Sequence, residues 1–395
     1  MAKLFATSSI DMNEDLYFSD LPDATKLAFD QTHIRLVFKS GFEARFDGSF
    51  KVNMASRSIV GTATRYAAYN SHTKLPHWII NDIKLSAADV FKASKTSRTS
   101  DDFALISAAF SRDDTIHGSN RPDQLKGFAG DDMLAGLGGR DRLNGGDGKH
   151  DTADYSEKHR PIEVTLNTSK WVDVLVKGFA EDKIVNIENI YAGEGNDKLT
   201  GDWMANKLRG NAGDDVLKGK NGGDTLDGGL GNDSLDGGNG YDSLTGGNHR
   251  DTLVGGGGRD TLDGGAHNDL LIGGAERDQM TGGLHSDTFK FAKVSDSAPR
   301  ARDFITDFTH NVDKLNLHFI DAKKSEAGNQ NFVRDVKGDA HSVVEEGHVG
   351  WYQINKAGTA NDRTIIRVNT DSDAAIEMSI ELKGLVHLTA SDFIL

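Results

Sequence analysis

Aspartate recurs at one phase through the centre of this chain. Asp197, Asp215, Asp224, Asp233, Asp242, Asp251, Asp260, Asp269, Asp278 and Asp287 take the sixth position of nine-residue units that run without a gap from Ala192 to Lys290. The clearest copy is Gly228-Gly229-Leu230-Gly231-Asn232-Asp233-Ser234-Leu235-Asp236. It gives the pattern G-G-x-G-x-D-x-U-x, where U is a large apolar residue. Glycine takes positive φ without steric penalty. A loop bent in this way can turn several carbonyl oxygens inward beside one carboxylate per unit. Such an all-oxygen shell suits a hard cation with many ligands, Ca²⁺ before Mg²⁺. The chain has no cysteine, so no soft thiolate site competes.

The last three residues of each unit position the loop. Their middle residue is Leu199, Leu208, Leu217, Leu226, Leu235, Leu244, Leu253, Leu262, Leu271, Met280 and Phe289 in turn. An x-U-x triplet is a short strand with one side chain inward and two outward. Stacked triplets make a narrow apolar ladder. An earlier array repeats the pattern, with Asp114, Asp123, Asp132 and Asp141 in ligand phase. The next unit, Gly145 to Asp151, carries one extra residue, which leaves the ligand role of Asp151 open. Asn206 replaces the ligand aspartate in a unit of the second array, so a weak or empty site is expected there. The phase of Asp and Leu holds over eleven units, whereas a disordered Gly/Asp-rich tract need not keep it.

The nonapeptide is similar to the parallel β-helix repeat of the RTX (repeats-in-toxin), haemolysin-type calcium-binding family. The resemblance implies that two repeats form one coil and that Ca²⁺ sits between stacked loops. At about 4.8 Å per strand, five to six coils then span roughly 25 Å. His249, His267 and His285 replace the fourth-position glycine in alternate units, 18 residues apart. Such a coil lines them up on one flank. Two readings stand: a ladder that holds a transition metal or senses acid near pH 6, or a position that simply tolerates polar residues. Beyond the arrays, Asp303-Phe304-Ile305-Thr306-Asp307-Phe308 and Asn311 to Leu317 resemble the segment that follows the β-roll in serralysin-type proteases. Thr364 to Asp373 and Ile376 to Leu382 are similar to that domain's closing strands. The ending Asp392-Phe393-Ile394-Leu395 resembles the uncleaved signal of type I secretion. The resemblance covers Asp114 to Leu395 and implies a partner, the type I export apparatus, engaged through the C-terminus.

The expected fold is mainly β: a parallel β-roll of nonapeptide repeats flanked by a small N-terminal β-rich domain and a C-terminal β domain. The expected segments are residues 1–110, the first array 111–151, a β spacer 152–191, the second array 192–290 and a serralysin-like domain 291–395. In the first segment, Ile34–Phe38, Phe42–Phe46, Phe50–Met54 and Ile59–Tyr69 alternate as strands, with a turn at Ser40-Gly41. Short helices are expected from Ser86 to about Lys95 and over Asp101–Phe110. In the spacer, Ile162–Leu166, Trp171–Val176 and Ile184–Ile190 alternate as strands and continue the solenoid.

Net charge is −15, which argues against nucleic acid and anionic membranes as partners and favours cations. No run of 18 apolar residues exists, so no membrane-spanning helix is expected. The start lacks the apolar core and cleavage pattern of a Sec-type signal peptide. Residues 1–110 contain no H-E-x-x-H motif, no G-x-S-x-G elbow and no cysteine nucleophile. His77-Trp78 could line a sugar site, but a Trp half-buried on a strand is the plainer reading. Together these readings imply a bacterial protein exported without a cleaved N-terminal signal, secreted to the extracellular space and folded there on Ca²⁺. Its effector role is then an interaction with a glycan or a cell surface. The alternative is a polysaccharide-modifying enzyme whose active site in residues 1–110 carries no recognisable motif. A pore-forming toxin is disfavoured, because no long apolar segment precedes the repeats.

Overall fold

The computed structural model describes residues 112–118, 120, 122–321, 344–355, 361–371 and 375–395, together with the backbone of seven further strands. Those strands are Lys3–Ala6, Ala24–Phe29, His33–Phe38, Phe42–Asn53, Ser58–Asn70, Pro76–Ser86 and Val333–Arg334. Ser86, expected to open a helix to about Lys95, instead ends the strand Pro76–Ser86; residues 87–95, the helix expected at 101–110 and the turn at Ser40-Gly41 lie outside the described residues. The chain divides into two compact units: residues 1–157 with 163–191, and residues 158–162 with 192–395.

The second unit is built on a parallel roll. Each nonapeptide supplies one strand, and strands 18 residues apart pair in parallel and in register. Leu226 pairs with Leu244 and Leu244 with Leu262 in one sheet. Leu217 pairs with Leu235 and Leu235 with Leu253 in the other. Two repeats therefore make one coil, as the resemblance implied. The core is the single inward side chain of each triplet. Leu199 through Leu271, Met280 and Phe289 are all 0–1 % exposed. A fully buried Leu is worth about 1.5–3 kcal/mol. With one such residue in nine, the core alone is thin against the entropy of ordering the rest.

Past the repeats, the same two sheets go on without the glycine pattern. Gln279–Leu284 pairs with Phe304–Ile305, which pairs in parallel with Met378–Lys383. Met378–Lys383, Arg363–Asn369 and His348–Ile354 then run antiparallel to one another. In the other sheet, Thr288–Lys290 pairs with Lys314–Asn316. Phe393–Ile394, the last strand of the chain, closes that sheet.

In the first unit, Thr115–His117, Met133–Ala135, Thr152–Asp154 and Asn189–Tyr191 stack in parallel. Gln124–Phe128, Arg142–Gly146 and Phe179–Val185 form a second parallel stack. Thr152–Asp154 and Asn189–Tyr191 thus extend the first stack and Phe179–Val185 the second, and the segment between them also folds back on itself. Val172–Val176 and Phe179–Val185 form an antiparallel hairpin. Lys177 (φ 52°) and Gly178 (φ 78°) make its two-residue turn, with the paired positive φ that a twisted hairpin favours. Five longer strands between Ala24 and Ser86 form an antiparallel meander.

Candidate metal centre

Glycine lets the loops close on one another. Gly229, Gly238, Gly247, Gly256, Gly265, Gly274 and Gly283, at the second position of successive units, all have φ between 100° and 113°. First-position glycines serve a different end. A Cβ added at Gly237 would lie 2.5 Å from Asp242 Oδ2 and 2.7 Å from the carbonyl oxygen of Gly255, one coil further on. At Gly246 the same two contacts are Asp251 Oδ2 at 2.5 Å and the Gly264 carbonyl at 2.6 Å. A carboxylate oxygen of one unit and a carbonyl oxygen of the next coil thus converge over a bare glycine.

Most ligand-phase aspartates use their two oxygens unequally. Oδ1 accepts the backbone N–H of the aspartate one coil before. Asp197, Asp215, Asp233, Asp251 and Asp269 donate in turn to Asp215, Asp233, Asp251, Asp269 and Asp287, at 2.7–2.9 Å. Along the other edge, Asn206, Asp224, Asp242 and Asp260 donate to Asp224, Asp242, Asp260 and Asp278. In the first unit, Asp114 donates to Asp132, Asp123 to Asp141, and Asp132 to Asp151. Oδ2 is left over. In Asp132, Asp151, Asp215, Asp224, Asp233, Asp242, Asp251, Asp260, Asp269, Asp278, Asp287 and Asp303 this oxygen is buried and has no hydrogen-bond partner.

A buried carboxylate without a donor or counter-charge is costly. The cost appears as raised pKa values. Burial pushes Asp132, Asp215 and Asp251 up to about 8, with neighbouring aspartates adding to the effect. Burial likewise holds Asp224, Asp269 and Asp278 at about 7, and Asp197, Asp233, Asp260 and Asp287 at about 6. Orphaned acceptors aimed at neighbouring carbonyl oxygens are what a Ca²⁺ shell needs. The donor set therefore fits the ion expected from the sequence.

The structure also marks individual departures. Asp151, despite the extra residue before it, takes its place in the ladder, and its own N–H donates to Glu188 Oε2 at 2.9 Å. Asn206 stands in ligand phase without a charge, and its Oδ1 accepts the Asp202 N–H at 2.8 Å. Asp197 engages both oxygens, accepting from Ile162 and Gly193. Four further carboxylates continue the ladders where no glycine repeat pointed to them. They are Asp182 after Asp141, Glu188 after Asp151, Asp303 after Asp278, and Asp313 after Asp287. Each begins an acidic-x-apolar triplet, such as Asp303-Phe304-Ile305. That triplet was the available signal.

His249, His267 and His285 do line up. Their rings stack with centroids 5.2 and 5.1 Å apart and planes within 5° and 12°. They occupy φ of 80–86°, a region that non-glycine residues adopt at a cost. Each Nδ1 lies 2.9–3.0 Å from the preceding carbonyl oxygen, and the His249 backbone N–H donates to His267 Nδ1 at 3.2 Å.

Comparison with known proteins agrees with this geometry. The RTX calcium-binding nonapeptide repeat (4 copies) matches residues 109–143 and 127–149. The peptidase M10 serralysin C-terminal family matches residues 144–395. No curated protein matches the chain. Among solved structures, the AlgE6R3 subunit of the Azotobacter vinelandii mannuronan C5-epimerase is 21 % identical, over 50 % of this chain and 76 % of that one, with a TM-score of 0.21. The extracellular lipase LipA from Serratia marcescens is 17 % identical, over 72 % of this chain and 38 % of that one, with a TM-score of 0.21. The C-terminal match spans well over half of the sequence and includes the whole second array: the chain belongs to the peptidase M10 serralysin C-terminal family and carries RTX calcium-binding repeats.

Proposed function

We propose that this protein is a secreted calcium-binding chain that leaves the cell through a type I apparatus, folds on Ca²⁺ outside, and acts there on a glycan or cell surface. The carrying observation is the column of buried, unpartnered Oδ2 atoms. The ligand carboxylates are Asp114, Asp123, Asp132, Asp141, Asp197, Asp215, Asp224, Asp233, Asp242, Asp251, Asp260, Asp269, Asp278 and Asp287. Glycine carbonyls of the adjoining coils complete the shells. Ca²⁺ supplies the counter-charge that lets these carboxylates be buried ionised.

The chain's own residues supply the rest of the switch. At neutral pH the ladder carboxylates repel one another, and the thin leucine core does not offset that repulsion. Binding free energy becomes folding free energy. Where Ca²⁺ is scarce, as in a cytosol, the chain stays unfolded and fits a narrow export channel. Near-millimolar Ca²⁺ outside populates even weak sites. The C-terminus supports the order of events. Asp392 is fully buried in the folded protein and accepts the N–H groups of Asn311 and Thr389 at 2.8 and 2.5 Å. Phe393–Ile394 is paired into the roll. A signal packed in this way is open to a transporter only before folding. The surface or glycan role is assigned to residues 1–110.

The test is a Ca²⁺ titration of the purified full chain followed by far-UV circular dichroism, from chelator to several millimolar, with Mg²⁺ as control. A cooperative gain of β signal with Ca²⁺ alone is expected. A spectrum already folded in chelator and unmoved by Ca²⁺ contradicts the reading.

A further inference from the structure

The rim of the roll carries a feature of opposite charge to the rest of the chain. The fifth position of each unit lies just outside the ligand column. Along one edge it is filled by Tyr241, Arg259 and Arg277. Arg302 follows them, because Asp303 stands to Asp278 as Asp278 stands to Asp260. In a protein of net charge −15, three arginine positions thus succeed one another coil by coil at a strand spacing of about 4.8 Å, although the Arg302 guanidinium donates to the Pro299 carbonyl at 3.3 Å. Arg259 and Arg277 are exposed, and neither forms an ion pair or hydrogen bond among the described residues. Glu276 shares the edge and pairs with neither.

A recess of about 280 Å³ opens beside these two arginines. Thr261, Gln279 and Phe304 line it, and they are register partners on three successive strands. Asp260 and Asp278, both largely buried, complete its lining. Phe304 is held in place, since the Arg363 guanidinium lies 5.0 Å from its ring centroid and donates to Glu381 Oε1 at 2.9 Å. Tyr241 is 72 % exposed, and its ring passes over Gly258, where a Cβ would touch Cδ1 at 3.4 Å.

These groups match one ligand chemistry. A guanidinium fork takes a carboxylate or sulfate bidentately. The Thr261 hydroxyl and Gln279 amide suit sugar hydroxyls. Electron-rich aromatic faces suit the C–H face of a sugar ring. One unit of an extended polysaccharide advances by a distance close to one strand spacing, so successive acidic sugars meet successive arginines. Loading Asp260 and Asp278 with Ca²⁺ cancels two of the charges that oppose an anion here, and leaves Glu276, exposed at the edge, as the third. We propose that the Arg259–Arg277 recess is a binding site for an acidic polysaccharide, recognised through its carboxylates.

The site lies outside residues 1–110, so it stands or falls separately from the role assigned to them. The test is calorimetric titration of tetragalacturonate into the Ca²⁺-loaded full chain, with maltotetraose as the neutral control. The expected result is binding of the acidic sugar only, weakened at least about tenfold in the double variant R259A/R277A and retained in part in R259K/R277K. Both arginines are exposed and unpaired, so the variants should keep the Ca²⁺-induced circular dichroism change of the parent. Equal affinity of the parent and R259A/R277A overturns the proposal. So does a Ca²⁺-folded parent that ignores tetragalacturonate or binds maltotetraose as well.

Discussion

Asp233 and Asp251 stand one coil apart, and the backbone N–H of the first donates to Oδ1 of the second at 2.8 Å. One oxygen of Asp251 is thereby spent on the fold, and the other, buried and unpartnered, is the one that the proposed function gives to Ca²⁺. The two duties can be separated. Asp251→Asn keeps an acceptor at Oδ1 and replaces the anionic oxygen with an amide. It should raise the Ca²⁺ midpoint of folding about threefold, or about 0.7 kcal/mol, in a titration followed by circular dichroism. Asp251→Ala removes both functions and should cost more. Asn206→Asp adds the missing charge and should move the midpoint down.

Acidity should replace calcium in part. Burial raises Asp132, Asp215 and Asp251 to about 8 and Asp303 to about 9, against an ordinary carboxylate value near 3.8. An acid with a higher pKa in the folded state than in the unfolded state binds protons more tightly when folded. Its contribution favours the fold in acid and is lost as pH rises through the folded-state values, here about 6 to 9. The metal-free chain should therefore gain β signal as pH falls from about 8 to about 5. Ca²⁺ binding should release protons, read as a buffer-dependent heat. A metal-free spectrum that stays unfolded across this range contradicts the pKa ordering.

Most of the roll was legible because each repeat states its own rule. Leu235 and Leu253 share a phase in the sequence and a register pair in the sheet. Asp242 and Asp260 share another phase and a hydrogen bond. What escaped were coils whose loops change length. Asp303 follows Asp278 by 25 residues and Asp313 follows Asp287 by 26, so a nine-residue frame misses both, although the triplets Asp303-Phe304-Ile305 and Asp313-Lys314-Leu315 survive. The hairpin at Lys177-Gly178 was missed for a related reason: its strands alternate like solenoid strands, and only the paired positive φ distinguishes them. The recess at Arg259 and Phe304 joins residues 45 apart and appears only when coils are stacked.

Glycines in the repeat are not equivalent, and substitution should show it. At Gly258 φ is 122°, and a Cβ would fall 1.7 Å from the Gly240 carbonyl oxygen. At Gly223 no such φ applies, and the nearest atom, the Tyr241 carbonyl oxygen, is 3.3 Å away. A left-handed conformation costs a residue with a side chain about 1–2 kcal/mol, and the clash adds to it. Gly258→Ala should raise the Ca²⁺ midpoint by at least about fivefold. Gly223→Ala should leave it close to that of the parent. Equal shifts in the two variants would show that stacking distance does not govern the array.

The C-terminus should serve export and folding unequally. Removing residues 303–395 deletes the coil that caps Gln279–Leu284 together with the terminal signal, so this chain should remain inside the cell. That result alone confounds misfolding with lost recognition. A shorter deletion, of residues 388–395, separates them. It removes Asp392 and the strand Phe393–Ile394, yet leaves Phe304–Ile305 paired to Met378–Lys383 and every nonapeptide coil in place. The shortened chain should still fold with Ca²⁺ in vitro and still fail to reach the medium. Export of either deletion at the level of the full chain would place the signal elsewhere. Retention of both, with Ca²⁺ folding kept by the shorter deletion, would mean that the residues buried around Asp392 in the folded roll are those the transporter reads before folding.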